Sequence, residues 1–267
     1  MAFGLERMGS STIKSASHRV TNDVIFDLLS TRLNARSRVL DFGAGAGHMS
    51  QRVGERLREL GGDPARQLVP CEIVPEAFQY AEVPCVRIGV DSVIPSADRT
   101  LDLIYSIEVL EHTFRPYDFM SEAWRALRPG GWLVFSVPNS LHMKSRWMFL
   151  LTGFPELFGP PSTAEKNAGR ICGHIMPLNY SYFVYGLRRL GFEGVTFYPD
   201  RLKRSSWAMS ALLYPVLKCA SLWFDRQLRS YDEEVWRENR AVVWRMNSME
   251  VLSSRSCIVV AQKPEIG

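Results

Sequence analysis

The sequence of 267 residues predicts an α/β fold built on a doubly wound sheet. Between residues 19 and 139, short apolar runs alternate with amphipathic segments, which is typical of a largely parallel sheet with helices on both faces. The first apolar run ends in a glycine-rich turn at residues 43–47, and a helical pattern begins directly after it. A strand, a glycine turn and a helix in this order bring the backbone close to a nucleotide-like ligand.

The first half of the chain is read from apolar runs and helical spacing. Residues 19–33 place apolar side chains at helical intervals, so we expect a helix that packs on the sheet. A second helix is expected at residues 47–60, where the sequence Gly61-Gly62-Asp63-Pro64 ends it. The predicted strands of this half are residues 37–42, 68–72, 83–88 and 101–106.

The second half adds two helices, three strands and two long insertions. Helices are expected at residues 116–127 and 180–190, and Arg128-Pro129-Gly130-Gly131 predicts a helix stop and tight turn after the first. Residues 140–175 are too apolar for a simple connection and predict a cap that shapes a substrate pocket. Residues 200–250 predict a helical insertion. The predicted strands are residues 132–137, 195–198 and 256–261.

Composition restricts the function. The chain is 46% hydrophobic and 22% charged, so we expect one globular domain over residues 1–267, with residues 1–18 as a polar N-terminal segment. A net charge of +4 is too small to indicate nucleic-acid binding. The five cysteines are scattered and form no C-x-x-C pair, which predicts a reducing compartment and no metal site. The N-terminus has no apolar core of signal-peptide length, so we expect a cytoplasmic location.

The glycine spacing separates two cofactor classes. A dinucleotide-binding turn has the pattern G-x-G-x-x-G, which from Gly43 would require glycine where His48 stands. The pattern is instead Asp41-x-Gly43-x-Gly45-x-Gly47. It resembles the first motif of class I S-adenosylmethionine (SAM) dependent methyltransferases, in which an acidic residue suits a ligand with a sulfonium and an ammonium group. For this motif alone, a tight turn without a ligand is the alternative.

Three later segments extend the same resemblance. Residues 94–104 resemble the segment of this family that leads into the fourth strand, with Leu101 at the position where phenylalanine is usual. Val109-Leu110-Glu111-His112 resembles its V-L-E-H segment, and residues 127–139 resemble L-R-P-G-G-x-L-x-x-x-x-P-N. The chain is similar to the branch with ubiquinone-biosynthesis-like and bacterial surface-glycan-associated enzymes. The resemblance implies SAM as cofactor and a Rossmann-like, seven-stranded sheet, mostly parallel with an antiparallel last strand.

The predicted cofactor-binding residues follow the ends of successive strands, which meet at one edge of a parallel sheet. A carboxylate at Glu72 can accept hydrogen bonds from both ribose hydroxyls, and a solvated glutamate at a helix start is the alternative. The resemblance places Asp91 at the adenine or its amine. The predicted set is Asp41, Gly43, Ala44, Gly45, Gly47, Glu72, Ile73, Asp91, Ser92, Ser106 and Ile107.

Two histidines are the catalytic candidates. SAM already carries an electrophilic methyl group, so the protein needs a base only when the acceptor is a hydroxyl that loses its proton. His112 follows the fourth strand on the ligand side, and a structural histidine paired with Glu111 is the alternative. His174 follows the predicted cap, and a hydrogen-bonded loop histidine is its alternative.

The segment Trp207–Phe224 is apolar and lies between basic residues at positions 201–204 and 226–229. We expect a helix that docks on the domain or lines the pocket. A peripheral membrane element, contacting the inner face of a membrane through residues 201–229, is the alternative. Lys218 and Pro215 within the segment and basic residues on both sides disfavour a membrane-spanning helix.

The sequence thus predicts an enzyme that transfers a methyl group from SAM to a small-molecule, lipid-linked or glycan acceptor, most readily at oxygen. The alternative is a catalytically silent methyltransferase-like scaffold or a membrane-associated partner protein. A dinucleotide oxidoreductase ranks third, because the third glycine of that fingerprint is missing. The sequence names neither the acceptor nor the oligomeric state.

Overall fold

The fold is described here from a computed structural model over residues 13–162 and 173–265. The strands in these residues are β1 (Val39–Phe42), β2 (Leu68–Glu72), β3 (Val86–Arg87), β4 (Leu101–Ile107), β5 (Leu127–Pro138), β6 (Glu193–Pro199) and β7 (Ser256–Gln262). They form one seven-stranded sheet in the order β3-β2-β1-β4-β5-β7-β6.

Strand β1 lies at the point where the strand order reverses. All four of its residues are buried, as expected for an apolar strand with helices on both faces. It pairs in parallel with β2 on one side and with β4 on the other. In open α/β sheets such a switch point leaves a crevice outside the carboxyl ends of the strands. The fold therefore places a ligand site beyond β1, β2 and β4.

The far side of the sheet is antiparallel. Strand β7 pairs antiparallel with β5 and with β6, in line with the antiparallel last strand implied by the family resemblance. Because Pro138 pairs with Ser256 and Pro199 with Cys257, the ends of β5 and β6 and the start of β7 lie at the same edge as the crevice.

Helices cover both faces of the sheet. In the described residues they are α1 (Arg19–Ser30), α2 (His48–Glu59), α3 (Pro64–Gln67), α4 (Pro116–Ala126), α5 (Met143–Thr152), α6 (Tyr180–Leu190), α7 (Arg204–Tyr231), α8 (Glu233–Met246) and α9 (Met249–Ser253), with 3₁₀ turns at Pro75–Ala77 and Leu110–His112. Helices α1 and α2 pack one core against β1 and β4, and α4 and α6 pack a second core on the opposite face. Alternating strand residues supply both cores, with Val39 in the first and Leu40 in the second.

Strand β5 refines one prediction. Helix α4 ends at Ala126, and residues 128–131, where a tight turn is predicted, belong to a strand that begins at Leu127. The chain still turns there: Gly130 has a φ of 77°, and the pairing moves from Leu127 to Trp132 while β4 advances only from Leu101 to Leu103. The turn is therefore a bulge within the strand. The backbone of Gly130 donates to the carbonyl of Lys263, and Gly131 accepts from the amide of Lys263, both at 2.9 Å, which holds the bulge in the sheet.

Strand β3 is shorter than the predicted residues 83–88. Only Val86 and Arg87 pair with the sheet, against Cys71 and Glu72 at the edge of β2. Both β3 residues are exposed, because this strand lies at the end of the sheet. The predicted strand is therefore confirmed only at Val86 and Arg87, which pair with the last two residues of β2.

The predicted insertion at residues 200–250 consists of α7, α8 and α9. Helix α7 has 28 residues and is long and apolar enough to cross a membrane by length and composition, with a mean hydropathy of 1.2 in its best window, of which 11% is buried. One side of α7 packs on neighbouring helices and the other is exposed. Parts of the predicted N-terminal segment and of the predicted cap, including Cys172, lie outside the described residues.

Candidate active site

The candidate site lies at the carboxyl ends of β1, β2 and β4. The glycine turn follows β1, Glu72 is the last residue of β2, and Ile107 is the last residue of β4. A 3₁₀ turn at Leu110–His112 follows within three residues of β4. The parallel register of the three strands brings these segments to one edge, as the sequence predicts.

The three glycines of the turn all have positive φ, at 77° for Gly43, 52° for Gly45 and 91° for Gly47. Side chains with a Cβ rarely adopt this backbone conformation. A Cβ on Gly43 would lie 2.4 Å from Cγ2 of Val109, and one on Gly47 would lie 2.8 Å from the ring of Phe78. A Cβ on Gly45 would meet no atom of the described residues within 4 Å. Packing within the protein therefore requires two of the glycines, whereas Gly45 borders open space.

Glu72 links the glycine turn to β2. Its Oε2 accepts from the backbone N–H of Gly45 at 2.8 Å, and its Oε1 accepts from that of Ile73 at 2.7 Å. The carbonyl of Cys71 accepts from the N–H of Ala44 at 3.1 Å. Glu72 is 9% exposed, so it is not the solvated glutamate of the alternative interpretation. The structure thus brings together the two predicted parts of the cofactor site.

Asp41 is buried at the end of β1. Its Oδ2 accepts from Oγ of Ser50 at 2.6 Å, which ties β1 to helix α2. Burial raises the pKa of Asp41 to about 7, although the hydrogen bond from Ser50 acts in the lowering direction. The geometry shows a supporting contact beneath the turn. A direct contact of this side chain with the cofactor stays a prediction.

The remaining predicted cofactor residues differ in burial. Oγ of Ser92 and Oγ of Ser106 are buried and have no hydrogen-bond partner within the described part of the chain. Ser92 also has a positive φ of 61°. Asp91 is exposed and Ile107 is half-buried at the end of β4. Buried hydroxyls without partners are costly, so these two serines are available for a ligand.

Glu111, His112 and His174 form a second cluster at the same edge. Glu111 is 1% exposed, and neither of its carboxylate oxygens has a hydrogen-bond partner in the described residues. Nε2 of His112 and Nε2 of His174 each lie 3.9 Å from Oε1 of Glu111. Nδ1 of His112 and the carbonyl of Gly173 are 2.9 Å apart, which joins the cluster to the end of the predicted cap. The two catalytic candidates therefore meet in space.

Burial dominates the electrostatics of this cluster. It raises the pKa of Glu111 well above its usual range, and the nearby charge of Glu108 raises it further. It also raises the pKa of Glu108 to about 7. Burial lowers the pKa of His174, and the neighbouring His112 lowers it further. The shifted pKa values favour the neutral forms of Glu108, Glu111 and His174. A further charged partner is needed to stabilise a charge at this site.

The three side chains can serve as ligands of a metal ion. Their ligand atoms all lie within 4.8 Å of one another, and a carboxylate with two imidazoles is a common donor set for divalent cations. The 3.9 Å separations are too long for hydrogen bonds and suit donors that share one ion. The sequence analysis predicted no metal site from the scattered cysteines, and it missed this cluster because Glu111 and His112 are adjacent while His174 follows a long insertion. The only signal was the position of both segments at the ligand edge.

This strand order, the glycine turn and the acidic strand end together define a class I SAM-dependent methyltransferase. Comparison with known families supports the same class: a family model described as "Methyltransferase domain" matches residues 17–195, more than half of the chain. The chain belongs to this methyltransferase-domain family.

Two curated relatives are similar to parts of the chain. A probable S-adenosylmethionine-dependent methyltransferase of Mycolicibacterium smegmatis is 28% identical over 45% of this chain, and the match spans only 45% of that protein. The ubiquinone biosynthesis O-methyltransferase of Burkholderia ambifaria is 26% identical over 62% of this chain and 70% of its own length.

A solved structure shares the fold. The SAM-dependent methyltransferase from Archaeoglobus fulgidus superposes with a TM-score of 0.53, at 16% sequence identity, over 91% of this chain and 94% of that one. At this identity the likeness shows the fold alone. It confirms the seven-stranded, Rossmann-like architecture that the sequence predicted.

The cofactor is SAM, and the residues at the site fit it. Gly45 borders open space, the carboxylate of Glu72 lies beside that glycine, and Ser92 and Ser106 offer two buried hydroxyls without partners. A carboxylate accepts the ribose hydroxyls of a nucleoside, and the glycine turn leaves room for the methionine part. The match to the methyltransferase-domain family sets aside the third candidate class, a dinucleotide oxidoreductase.

Proposed function

We propose that this methyltransferase transfers the methyl group of SAM to a hydroxyl oxygen of a lipid-linked acceptor, at the cytoplasmic face of a membrane. The observation that supports oxygen as the acceptor atom is the buried carboxylate of Glu111, with two imidazoles facing it, at the edge where β4 ends. A hydroxyl must lose a proton during methyl transfer, and this cluster is built to promote that loss. The relatives named ubiquinone biosynthesis O-methyltransferase support the same atom type.

The proposal gives the cofactor, the glycine turn with Glu72, and the cluster separate roles. When bound, SAM supplies an electrophilic methyl group on a sulfonium, and the sulfur departs as the neutral thioether of S-adenosylhomocysteine. The glycine turn and Glu72 hold and orient the cofactor. Glu111, His112 and His174 lie on the acceptor side of the site and assist the loss of the hydroxyl proton by one of two routes.

We assign a divalent cation to Glu111, His112 and His174. The buried carboxylate of Glu111 has no hydrogen-bond partner in residues 13–162 and 173–265, and a cation would offset the cost of burying it. A cation at this position would bind the acceptor oxygen as a Lewis acid. Direct proton transfer to a neutral imidazole is the second route to the same product. It would make the histidines general bases rather than ligands.

Substitution at the cluster separates these routes. His112→Gln is expected to lower turnover on the order of 100-fold and to leave the affinity for S-adenosylhomocysteine unchanged, measured by calorimetry. His18→Gln, an exposed histidine at the start of α1, is the matched control. Glu111→Gln should abolish binding of Zn²⁺ or Mn²⁺, measured by metal analysis and by thermal shift on chelator-treated protein. Full metal binding by Glu111→Gln would contradict the assignment of a cation to the cluster. Unchanged turnover of His112→Gln would contradict a role of the cluster in methyl transfer.

The acceptor is identified by labelling. Lipid extracts, glycan extracts and small-molecule extracts are incubated with the protein and SAM that carries a deuterated methyl group, and the products are read by mass spectrometry. Label on an oxygen of a lipid-linked product is expected. Label on a water-soluble glycan or on nitrogen would contradict the proposed acceptor. Binding of S-adenosylhomocysteine without label in any extract would favour the silent-scaffold alternative.

A further inference from the structure

Helices α5 and α7 together expose a large apolar surface, which we call the α5–α7 face. Its exposed side chains, with the fraction exposed, are Trp147 (48%), Phe149 (57%), Leu150 (71%) and Leu151 (68%) on α5, and Trp207 (50%), Leu212 (81%), Val216 (65%), Leu222 (42%) and Trp223 (64%) on α7. Contiguous apolar surface of this kind is rare on a protein face that meets only water, and it indicates a partner.

The outward side of α7 is uncharged over most of its length. Between Arg204 and Asp225, Lys218 is the only charged residue, and its Nζ lies 5.0 Å from the ring of Tyr214 and 5.3 Å from the ring of Trp244 on α8. The charge is thereby held on the flank of the helix. About five turns of α7 present apolar side chains alone.

Hydrogen bonds fix the other side of α7 to the protein along its whole length. Near the N-terminus, Oγ of Ser206 lies 3.2 Å from Nδ1 of His142 at the start of α5. Further along, Nδ2 of Asn247 donates to Oγ of Ser221 at 2.8 Å, and near the C-terminus Nε1 of Trp244 donates to Oδ1 of Asp225 at 3.1 Å. A membrane-spanning arrangement would carry these groups into hydrocarbon or break their contacts. The geometry favours a helix that lies in the membrane plane.

The charge around the face complements an anionic membrane. Helices α5 and α7 contain six basic residues and one acidic residue, Asp225. Arg146 is half-buried and donates to Asn247 and to the carbonyl of Met246, and Lys144 pairs with Glu156. The basic charge available to a membrane therefore comes from α7, namely Arg204, Lys218, Arg226 and Arg229. The side chain of Asp225 is only 13% exposed, whereas Arg204 and Arg226 are exposed at the two ends of the apolar stripe. Exposed Trp207 and Trp223 also mark the two ends. Basic residues and tryptophans that frame an apolar stripe are typical of helices bound at the interface of a bilayer.

The α5–α7 face adjoins the candidate active site. Helix α5 follows β5 and helix α7 follows β6, and both strands end at the edge that holds the glycine turn and Glu111. The ring of His174 lies 5.2 Å from that of Phe158, which follows α5. A membrane against this face would therefore lie next to the site at which the acceptor binds.

From these observations we propose that the α5–α7 face docks in the plane of a bilayer that contains anionic lipids, with α7 lying along the interface. The docking carries an acceptor with an apolar tail to the edge of the sheet that holds Glu111, His112 and His174. Only this last step rests on the proposed function; the docking itself stands on the surface and its charge.

The test measures vesicle binding without any methyl transfer. Full-length protein is floated with vesicles of phosphatidylcholine alone and of phosphatidylcholine with phosphatidylglycerol. Binding to the anionic vesicles is expected, weaker in high salt, and extraction by alkaline carbonate is expected because the helix does not span the bilayer. The double variant Leu212→Glu and Val216→Glu should bind at least tenfold more weakly. Because both positions are exposed, the variant should keep its affinity for S-adenosylhomocysteine.

A matched control changes an exposed apolar residue elsewhere. Tyr185→Glu, on α6 and 63% exposed, should bind vesicles like the unchanged protein. The proposal is overturned if the unchanged protein does not float with anionic vesicles, or if the double variant floats equally well. Resistance to carbonate would overturn the in-plane arrangement. Sedimentation that shows a dimer lost in the double variant, with no vesicle binding, would assign the face to a second copy of the chain instead.

Discussion

At the scale of single residues, each of the three glycines in the first turn is required for its own physical reason. Gly43 and Gly47 leave room for Val109 and Phe78, so a methyl group at either position would displace a neighbour within the protein. A methyl group on Gly45 would displace none of the residues that the structure describes. Its positive φ and its N–H, which donates to Glu72, instead keep the turn open on the side of the cofactor.

Gly45→Ala therefore tests the turn. A Cβ at a φ of 52° should cost about 1 kcal/mol of stability through backbone strain, and it should also weaken SAM binding because the methyl group enters the open space. Gly61→Ala is the control, since Gly61 also has a positive φ, 88°, and open space around it, but lies at the far end of α2. Chemical denaturation should give similar losses for both variants. Calorimetry with S-adenosylhomocysteine should show weaker binding for Gly45→Ala alone, and equal binding would contradict the assignment.

Glu72→Gln tests the carboxylate at the end of β2. The change removes a charged acceptor that serves the N–H groups of Gly45 and Ile73 and that we expect to receive the ribose hydroxyls. The dissociation constant for S-adenosylhomocysteine should rise about tenfold or more, which is about 1.4 kcal/mol. Glu76→Gln, at an exposed glutamate near the same strand, should leave the constant unchanged. If Glu72→Gln binds S-adenosylhomocysteine with unchanged affinity, Glu72 only supports the glycine turn and does not bind the cofactor.

At the scale of elements, a buried polar network joins α5 to α7. Nδ1 of His142 accepts from the N–H of Ser145 at 3.1 Å and faces Oγ of Ser206 on α7, while its Nε2 lies 3.1 Å from Oε2 of Glu156. Lys203 donates to the same carboxylate. Burial lowers the pKa of His142 to about 4, and the charge of Lys203 acts in the same direction. A neutral histidine thus holds together the two helices of the α5–α7 face.

His142→Ala should destabilise the protein by about 3 kcal/mol, because it leaves several buried polar groups without a partner. His18→Ala, at the exposed N-cap of α1, should cost about 1 kcal/mol or less. The difference also depends on pH. Since the folded pKa lies below the ordinary 6.5, the unfolded chain takes up a proton first, so the advantage of the unchanged protein over His142→Ala should shrink as the pH falls from 6.5 towards 4. Urea denaturation at several pH values measures this difference in the free energy of unfolding. An equal loss of stability in His142→Ala and His18→Ala would contradict the role of the network.

At the scale of the whole molecule, stability should respond to the buried acids at the carboxyl edge of the sheet. The pKa of Asp41 is raised from 3.8 to about 7, so the folded protein binds a proton that the unfolded chain has already lost. This acid therefore favours the folded state below pH 3.8, and its contribution is lost as the pH rises to 7. The full effect is at most about 4 kcal/mol.

Asp41→Asn removes this dependence while it keeps an oxygen that can accept from Ser50. The free energy of unfolding of the variant, relative to the unchanged protein, should therefore rise between pH 4 and pH 8. Asp118→Asn, at an exposed position of α4, should show no such trend. The measurement is denaturation of cofactor-free protein across this range, and a flat difference for Asp41→Asn would show that the acid is ionised in the fold at neutral pH.

Local patterns in the sequence were sufficient for the order of strands and helices, for the glycine turn and for the acid at the end of β2. The bounds of β2 and α6 agree with their predictions, because an apolar run or an amphipathic period between clear breakers specifies each of them. Residues 128–131 turn as predicted, with a φ of 77° at Gly130, but the turn is a bulge inside β5 because Lys263 pairs with Gly130 and Gly131 from the other end of the chain. Turn signals are local, whereas strand pairing is decided by distant partners.

The sequence by itself thus determined the class of the protein, because strand, turn and helix signals and the spacing of Asp41, Gly43, Gly45 and Gly47 all lie within short windows. The tertiary structure alone decided which groups meet. It buried Glu111 between His112 and His174 with no hydrogen-bond partner among the described residues, and it set α5 beside α7 to form one exposed apolar face. Burial and long-range contacts arise only when the fold brings together segments that are far apart in the chain, so no local sequence pattern predicts them.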